Sequence, residues 1–265
     1  MAEPDGARGG VATSEALYHD PAFADLYDAQ NSEAALGTCA DFAFVRARAA
    51  DARAVLDLGC GTGELAVSLA PGRAVVGVDP AEAMLARARR RRGGTAVEWV
   101  RADVRGLDLG RRFDLIAMTG HAFQCLLTDE DIASALDAMR RHLGPDGRAI
   151  FDTRNPLVRY WERWTPERTR GVFDGPGGRF RKEVSAVRDE EARVVTYTET
   201  FTMPDGAVRR ATARLRDLRR EDLEAMLRSA GLRPAEVLGD WRGAPWRDDS
   251  PEIVVVAAPA SADRP

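Results

Sequence analysis

A run of ten residues, Val55-Leu56-Asp57-Leu58-Gly59-Cys60-Gly61-Thr62-Gly63-Glu64, passes from apolar side chains into glycines at every second position. Glycine lets a backbone turn sharply and approach a ligand with no Cβ atom in the way. A dinucleotide loop wants glycine at its first, third and sixth places, and the sixth here is Glu64. A carboxylate beside a pyrophosphate is unfavourable, so the loop better suits a ligand without phosphates that carries a nucleoside and a charged amino-acid part. Three acids sharpen that reading. Asp79 closes the next apolar run, where a carboxylate can accept both ribose hydroxyls and disfavours a 2′-phosphate. Asp103 closes the third and can accept the exocyclic amine of adenine. Asp57, just before the loop, can face an ammonium or a sulfonium. Singly these are ordinary strand-end turns; as a spaced set they read as a cationic nucleoside site.

The elements that must position these residues follow from the hydrophobic pattern. From Ala54 onward short apolar runs alternate with helical stretches, the pattern of strands buried on both faces with crossover helices. Strands are predicted at Ala54–Leu58, Ala74–Val78, Ala96–Val100, Phe113–Met118 and Arg148–Phe151, with helices at Gly63–Ala70, Ala81–Arg92 and Asp129–Leu143 between them. Thr128 with Asp131 opens the last helix and Gly144-Pro145 closes it. The fold class is therefore α/β, a doubly wound parallel sheet. Ahead of it, Asp20 caps a helix whose first residue is Pro21 and which sets Phe23, Leu26 and Tyr27 on one face; a second helix runs to Ala50. After Pro156 the helical period is lost. Arg179–Val187, Arg193–Met203 and Ala207–Leu215 read as a small antiparallel insertion, and Asp174-Gly175-Pro176-Gly177-Gly178 as a flexible turn. A helix at Glu221–Ala230 and a strand at Glu252–Ala257 complete the core. The expected units are thus an N-terminal helical cap (1–50), a first core segment (51–155), the β insertion (156–215) and core completion (216–265).

Against roughly 150 residues per domain, 265 residues fit one domain with an insertion. With 38 basic and 42 acidic residues the net charge is −4, so nucleic acid is a poor default partner. Lysine occurs once, at Lys182, and the arginine abundance reflects base composition more than function. The run Arg89–Arg92 ends a helix at Gly93-Gly94 and reads as a solvated terminus. Cys39, Cys60 and Cys125 have no close pairing, which writes neither a disulfide framework nor a four-ligand zinc site; a reducing cytoplasm fits, and no metal set is expected. The first fourteen residues read as a frayed terminus rather than a signal peptide, and the longest apolar run, Ile253–Ala258, is too short to span a bilayer.

With these motifs in place, the sequence resembles the class I S-adenosylmethionine-dependent methyltransferases. Val55–Gly63 is similar to their motif I, Gly77-Val78-Asp79-Pro80 to the segment that follows it, Ala102-Asp103-Val104 to the adenine-binding turn, Phe113–Ile116 to strand four, and Leu143–Arg148 to the turn into strand five. The resemblance implies a Rossmann-like seven-stranded sheet of order 3-2-1-4-5-7-6 with strand seven, Glu252–Ala257, antiparallel. It implies S-adenosylmethionine as cofactor and S-adenosylhomocysteine as product. By it Gly59, Gly61 and Gly63 line the methionyl part, Cys60 offers backbone contacts, Asp57 lies beside them, Asp79 and Pro80 flank the ribose, Met84 and Val104 sandwich adenine between them with Ala102 alongside, Asp103 binds the amine, and Thr119 or Gly120 lies near the methyl.

Transfer from a sulfonium is an in-line displacement with an activated donor, so positioning supplies much of the rate and no metal or covalent nucleophile is obligatory. A base is useful but optional. His121 leaves strand four at the carboxyl edge, where open α/β sheets bind ligands, and is the catalytic candidate; a hydrogen-bonded structural role or a pocket wall fits the same position. His142 and His19 read as structural and Cys125 as a core thiol. Thr119-Gly120-His121-Ala122 lacks the Asp/Asn-Pro-Pro-aromatic pattern of enzymes that methylate amino groups of nucleic acids or proteins, and Asn155-Pro156 falls after the wrong strand. A small-molecule acceptor follows. Tyr27, Arg154, Trp161, Trp164 and Trp241 are its candidate contacts, with Arg181 and Arg242 as further cations; Trp161 and Trp164, three apart, suit a shared core face equally. The architecture is similar to bacterial enzymes that N-methylate amino sugars or tailor secondary metabolites. Nitrogen is favoured slightly over oxygen. The alternatives are an O-methyltransferase, a nicotinamide-dependent oxidoreductase and a non-catalytic binding module.

Overall fold

The computed structural model describes residues 16–31, 39–175 and 177–260; the N-terminal fourteen residues and Pro176, both read from sequence above, lie outside them. β1 (Ala54–Leu58), β2 (Ala74–Asp79), β3 (Glu98–Arg101), β4 (Phe113–Met118) and β5 (Leu143–Arg154) form parallel pairs. They continue into β10 (Leu232–Leu238) and β11 (Glu252–Pro259), giving the order β3-β2-β1-β4-β5-β11-β10. β11 runs antiparallel to both neighbours. The order is the expected one, and β10 fills the place that the hydrophobic pattern left unassigned.

Helices cover both faces of this sheet. α3 (Ala40–Arg48) and α4 (Glu64–Leu69) cover one, where Val45, Leu65 and Leu69 pack on Val55, Val75 and Leu115. α6 (Asp129–His142) and α7 (Arg220–Ser229) cover the other, where Ile132, Leu136, Met139, Leu223 and Leu227 meet Leu56, Ile116, Phe151 and Val255. The hydroxyl of Thr128 accepts from the Asp131 amide while Asp131 accepts from the Thr128 amide, so the capping box read from sequence is formed. β3 begins two residues later than the pattern suggested, because Gly94–Ala96 closes a 3-10 turn on which Trp99 Nε1 anchors at 2.8 Å.

The insertion is a four-stranded antiparallel sheet in the order β6-β7-β8-β9: β6 (Gly171–Gly175), β7 (Gly178–Asp189), β8 (Val194–Thr202) and β9 (Val208–Arg216). β6 was absent from the pattern, since a five-residue strand ending in glycine merges with the turn after it. Asp20 Oδ1 accepts from the Ala22 amide and opens α2 (Pro21–Asn31), which follows α1 (Ala16–His19). α2 is wedged between the two sheets. Phe23 and Leu26 pack on Phe180, Phe201, Ala211 and Ala213 of the insertion, while Ala24 packs on Ala81, Ala83 and Met84 at the start of α5 (Glu82–Arg90). Among the described residues no helix is long and apolar enough to cross a membrane.

Candidate active site

β1 delivers its loop at the point where the strand order reverses, the usual ligand crevice of an open α/β sheet. Gly59, Gly61 and Gly63 have φ of +63°, +52° and +78°, a region that penalises any side chain. Their surroundings differ. A Cβ on Gly61 would meet nothing within 4 Å, whereas one on Gly63 would lie 2.4 Å from Trp99 and 2.7 Å from Ala88. Gly61 and Gly59 line a cavity of about 1020 Å³; Gly63 does not, and serves the packing of α4 on β3.

Asp57, Cys60, Asp79, Pro80, Met84, Ala102, Asp103, Val104 and Thr119 all line the same cavity. Asp79 shapes the loop as well as facing it: its carboxylate accepts from the Gly61 amide at 2.9 Å and the Ala81 amide at 2.8 Å. Burial pushes its carboxyl up, and those two amides oppose the shift. Asp57 is 2% exposed, and its Oδ2 accepts no hydrogen bond. Burial, then the nearby Asp79, pushes its carboxyl up to about 8. A buried oxygen of this kind needs a donor or a cation to be satisfied. Asp103 is held below the ordinary carboxylate range by Arg105, whose Nε donates to it at 2.9 Å.

The Arg89–Arg92 run is not wholly solvated. Arg91 turns inward, its Nε donating to the Thr62 carbonyl at 3.0 Å and its guanidinium pairing with Asp28 of α2 and Glu64 of the loop. Asp28 also accepts from the Thr62 hydroxyl at 2.8 Å and from Arg87 at 2.9 Å. These contacts latch the cap to the glycine loop.

At the far end of the cavity, His121 sits after β4 with φ +62°, an unusual conformation for a residue with a side chain. Its amide donates to Asp152 Oδ1 at 3.1 Å; its Nε2 lies 3.0 Å from Glu252 Oε2 and 3.2 Å from Asp152 Oδ2. Each offers one ligand-competent atom within 4.8 Å of the others, a trio able to hold a metal ion or another cation, which the sequence reading did not foresee. Burial pushes the imidazole down to about 4 despite the pull of Asp152, and pushes Asp152 up to about 6 and Glu252 to about 7. His142, by contrast, is buried at 2% exposure with Nδ1 donating to the Ala138 carbonyl and Nε2 accepting from the Leu109 amide, a structural role. His19 lies at the cavity rim.

Of the acceptor-side candidates, Tyr27, Arg154, Trp164 and Trp241 line the cavity. Trp161 does not: it is buried against Tyr160 and Val195 with the Arg188 guanidinium 4.5 Å from its ring, while Trp164, packed on the same Tyr160 ring from the end of the 3-10 turn, is only partly buried and reaches the cavity. Arg181 lines a separate shallow pocket on the insertion and Arg242 stands outside the cavity wall. Cys125 is exposed to the cavity rather than in the core. Asn155 donates to the carbonyls of Asp248 and Ser250 and is structural. Sequence reasoning missed Tyr18 on α1, Tyr197 on β8 and the Lys182–Glu199 pair that joins β7 to β8, all cavity-lining; for Tyr197 and Glu199 the alternation with threonine along Thr196–Thr202 was the available signal.

A sequence profile of a methyltransferase domain matches residues 55–147. The chain is 31% identical over 227 residues to the Cypemycin N-terminal methyltransferase of a Streptomyces species, covering 79% of this chain and 84% of the relative. Its structure is similar to the CcbJ methyltransferase from Streptomyces caelestis, with TM-score 0.77 and 26% identity over 93% of this chain and 99% of that one. It is also similar to the sugar N-methyltransferase KedS8 from Streptoalloteichus sp ATCC 53650, with TM-score 0.72 and 25% identity over 98% and 99%. Sheet order, loop and relatives agree on one lineage: the chain belongs to the S-adenosylmethionine-dependent methyltransferases and takes its methyl group from S-adenosylmethionine.

Proposed function

We propose that the chain methylates an amine on a small molecule, such as an amino sugar or the N-terminus of a peptide, in the cytoplasm and without a nucleic-acid partner. One observation carries the reading: a single cavity joins the glycine loop and its acids at one end to His121, Asp152, Glu252 and an aromatic wall at the other. Family membership removes the nicotinamide alternative. The acids at both ends favour cationic groups, and the relatives named above as N-methylating enzymes support nitrogen over oxygen. Cys39, Cys60 and Cys125 form no disulfide, which suits a reducing compartment.

S-adenosylmethionine supplies a methyl already activated on a sulfonium, so this chain's residues must bind, align and exclude water. Gly59 and Gly61 with the Cys60 backbone would take the methionyl part, Asp57 giving its orphaned oxygen to the cationic end. Asp79 and Pro80 would meet the ribose, Met84, Ala102 and Val104 the adenine faces, and Asp103 its amine, shared with Arg105. Thr119 sits toward the methyl. Tyr27, Trp164, Trp241 and Arg154 would wall the acceptor, while His121 and its two carboxylates stand where a proton must leave.

Calorimetry with S-adenosylmethionine, S-adenosylhomocysteine and NAD tests the donor site: the first two should bind and NAD should not. Asp79→Ala should weaken both by roughly tenfold or more, since it removes a ligand contact and two loop hydrogen bonds. Mass and NMR analysis of products from paired amine and hydroxyl acceptors tests the rest. Methylation on oxygen or carbon alone would overturn the amine reading.

A further inference from the structure

We propose that Asp152, Glu252 and His121 form a receiving site for the acceptor's ammonium group, with Glu252 taking the proton whose loss frees the amine for methyl transfer. The inference rests on the reading of the cavity as a methyl-transfer site and names the form in which its acceptor arrives.

The sheet builds the site. Asp152 pairs with Val254, and Arg154 with Glu252, across the antiparallel β5–β11 pair, so residues 152, 154, 252 and 254 project from one face. Asp152 is fully buried and its Oδ2 accepts no hydrogen bond, although it lies on the cavity wall 3.2 Å from the imidazole. That oxygen needs a donor that the described residues do not provide. Glu252 has a side chain 20% exposed, which leaves it a route to water.

The charges that face His121 from its neighbouring elements are Asp152 and Arg154 on β5, Glu252 on β11 and Asp41 on α3. Arg154 is already committed: its Nη1 donates to Gln124 at 2.8 Å and its guanidinium stacks 4.9 Å from the Trp164 ring. With the imidazole neutral, two carboxylates remain at the methyl end. Counted together with Asp41 and Arg154 they leave a net charge of −2, which a sulfonium and an ammonium, each of one charge, balance; a divalent metal in the ammonium's place would leave excess positive charge in a desolvated space. The imidazole Nε2 is already engaged by Glu252 Oε2 at 3.0 Å, so the carboxylate rather than that nitrogen takes the proton, in the direction in which burial shifts both groups.

The step balances. An N–H bond of the ammonium breaks, an O–H bond forms on ionised Glu252, and the electron pair stays on nitrogen. That pair then forms the N–C bond while the C–S bond breaks and its electrons go to sulfur. Glu252 passes its proton to water, and the methylated ammonium must lose a further proton in the same way before a second transfer. His121, at 3.0 Å, holds the Glu252 carboxylate in place and is a positioning residue.

The test is calorimetric titration, at pH 7, of S-adenosylhomocysteine-loaded and bare protein with benzylamine, an ammonium at that pH, and with benzyl alcohol. The amine should bind roughly tenfold more tightly than the alcohol. Asp152→Asn and Glu252→Gln should each abolish that preference while S-adenosylhomocysteine affinity stays within about threefold, which also reports that the variants fold. No binding of the amine, equal binding of amine and alcohol, or a preference that survives both substitutions overturns the proposal. So does a stoichiometric metal in the purified protein, or tight MnCl₂ binding, that Glu252→Gln removes; the trio would then be a metal site. Failure of S-adenosylhomocysteine to bind overturns the donor reading instead, and titration of the bare protein still tests the ammonium site.

Discussion

Gly61 and Gly63 share a left-handed backbone yet answer to different demands. Gly61→Ala puts a methyl into open cavity space at φ +52°, so it should weaken donor binding by roughly tenfold while stability falls only by the strain, about 1 kcal/mol. Gly63→Ala drives a methyl to 2.4 Å from Trp99, an overpacking that should destabilise by about 1–3 kcal/mol beyond the same strain. Calorimetry and thermal melts separate the two, and a Gly61→Ala protein with unchanged donor affinity would contradict its place in the site. Asp57 gives a pH dependence whose sign follows from its raised pKa. The folded protein holds this proton up to about pH 8, whereas an unfolded chain releases it near 4. The group's contribution to stability therefore declines as pH rises from about 4 to 8 and is level above. A cationic ligand favours the ionised form, so donor affinity should rise with pH, by at most about tenfold per unit, and level off above 8. Asp57→Asn should flatten that profile and remove the proton release seen by calorimetry in buffers of different ionisation enthalpy.

At the scale of elements, α2 is the hinge piece between the two sheets, and Asp28 ties it to the loop through Thr62, Arg87 and Arg91. Asp28→Ala should lower hydrogen-exchange protection across α2 and weaken donor binding by about three- to tenfold, the worth of a charged hydrogen-bond set on a buried carboxylate whose arginine partners reach solvent. Unchanged protection would mean that apolar packing alone seats the helix. The short turn at Tyr160–Arg163 makes a matching contrast: Trp161→Ala empties a buried site and should cost about 3–5 kcal/mol of stability, whereas Trp164→Ala should raise the acceptor's KM with donor affinity unchanged. Strands β1, β2, β4 and β5 were legible because strands buried on both faces read as unbroken apolar runs. β10 was not: Leu232–Leu238 alternates, carries Pro234 and lies at the sheet edge, where one face and one flank are exposed. β6 was hidden among glycines for a similar reason.

Over the whole molecule, cap, insertion and core each contribute a wall to one cavity, and none could close it alone. The sequence by itself determined strands β1, β2, β4 and β5, the glycine loop and the acids at the strand ends, because these depend on local pattern: a buried run, a forced positive φ, a carboxylate at a strand end. Gly63 shows the limit even there, since spacing put it in the loop but only packing revealed Trp99 above it. The acceptor side was decided by tertiary structure. Asp152 and Glu252 lie 31 and 131 residues beyond His121 along the chain, and the three meet only because β5 lies between β4 and an antiparallel β11. Asp152 lies one residue beyond the strand predicted at Arg148–Phe151, and Glu252 opens the strand predicted at Glu252–Ala257. Their proximity and burial arise from strand order, and strand order is fixed by long-range burial that no local spacing encodes.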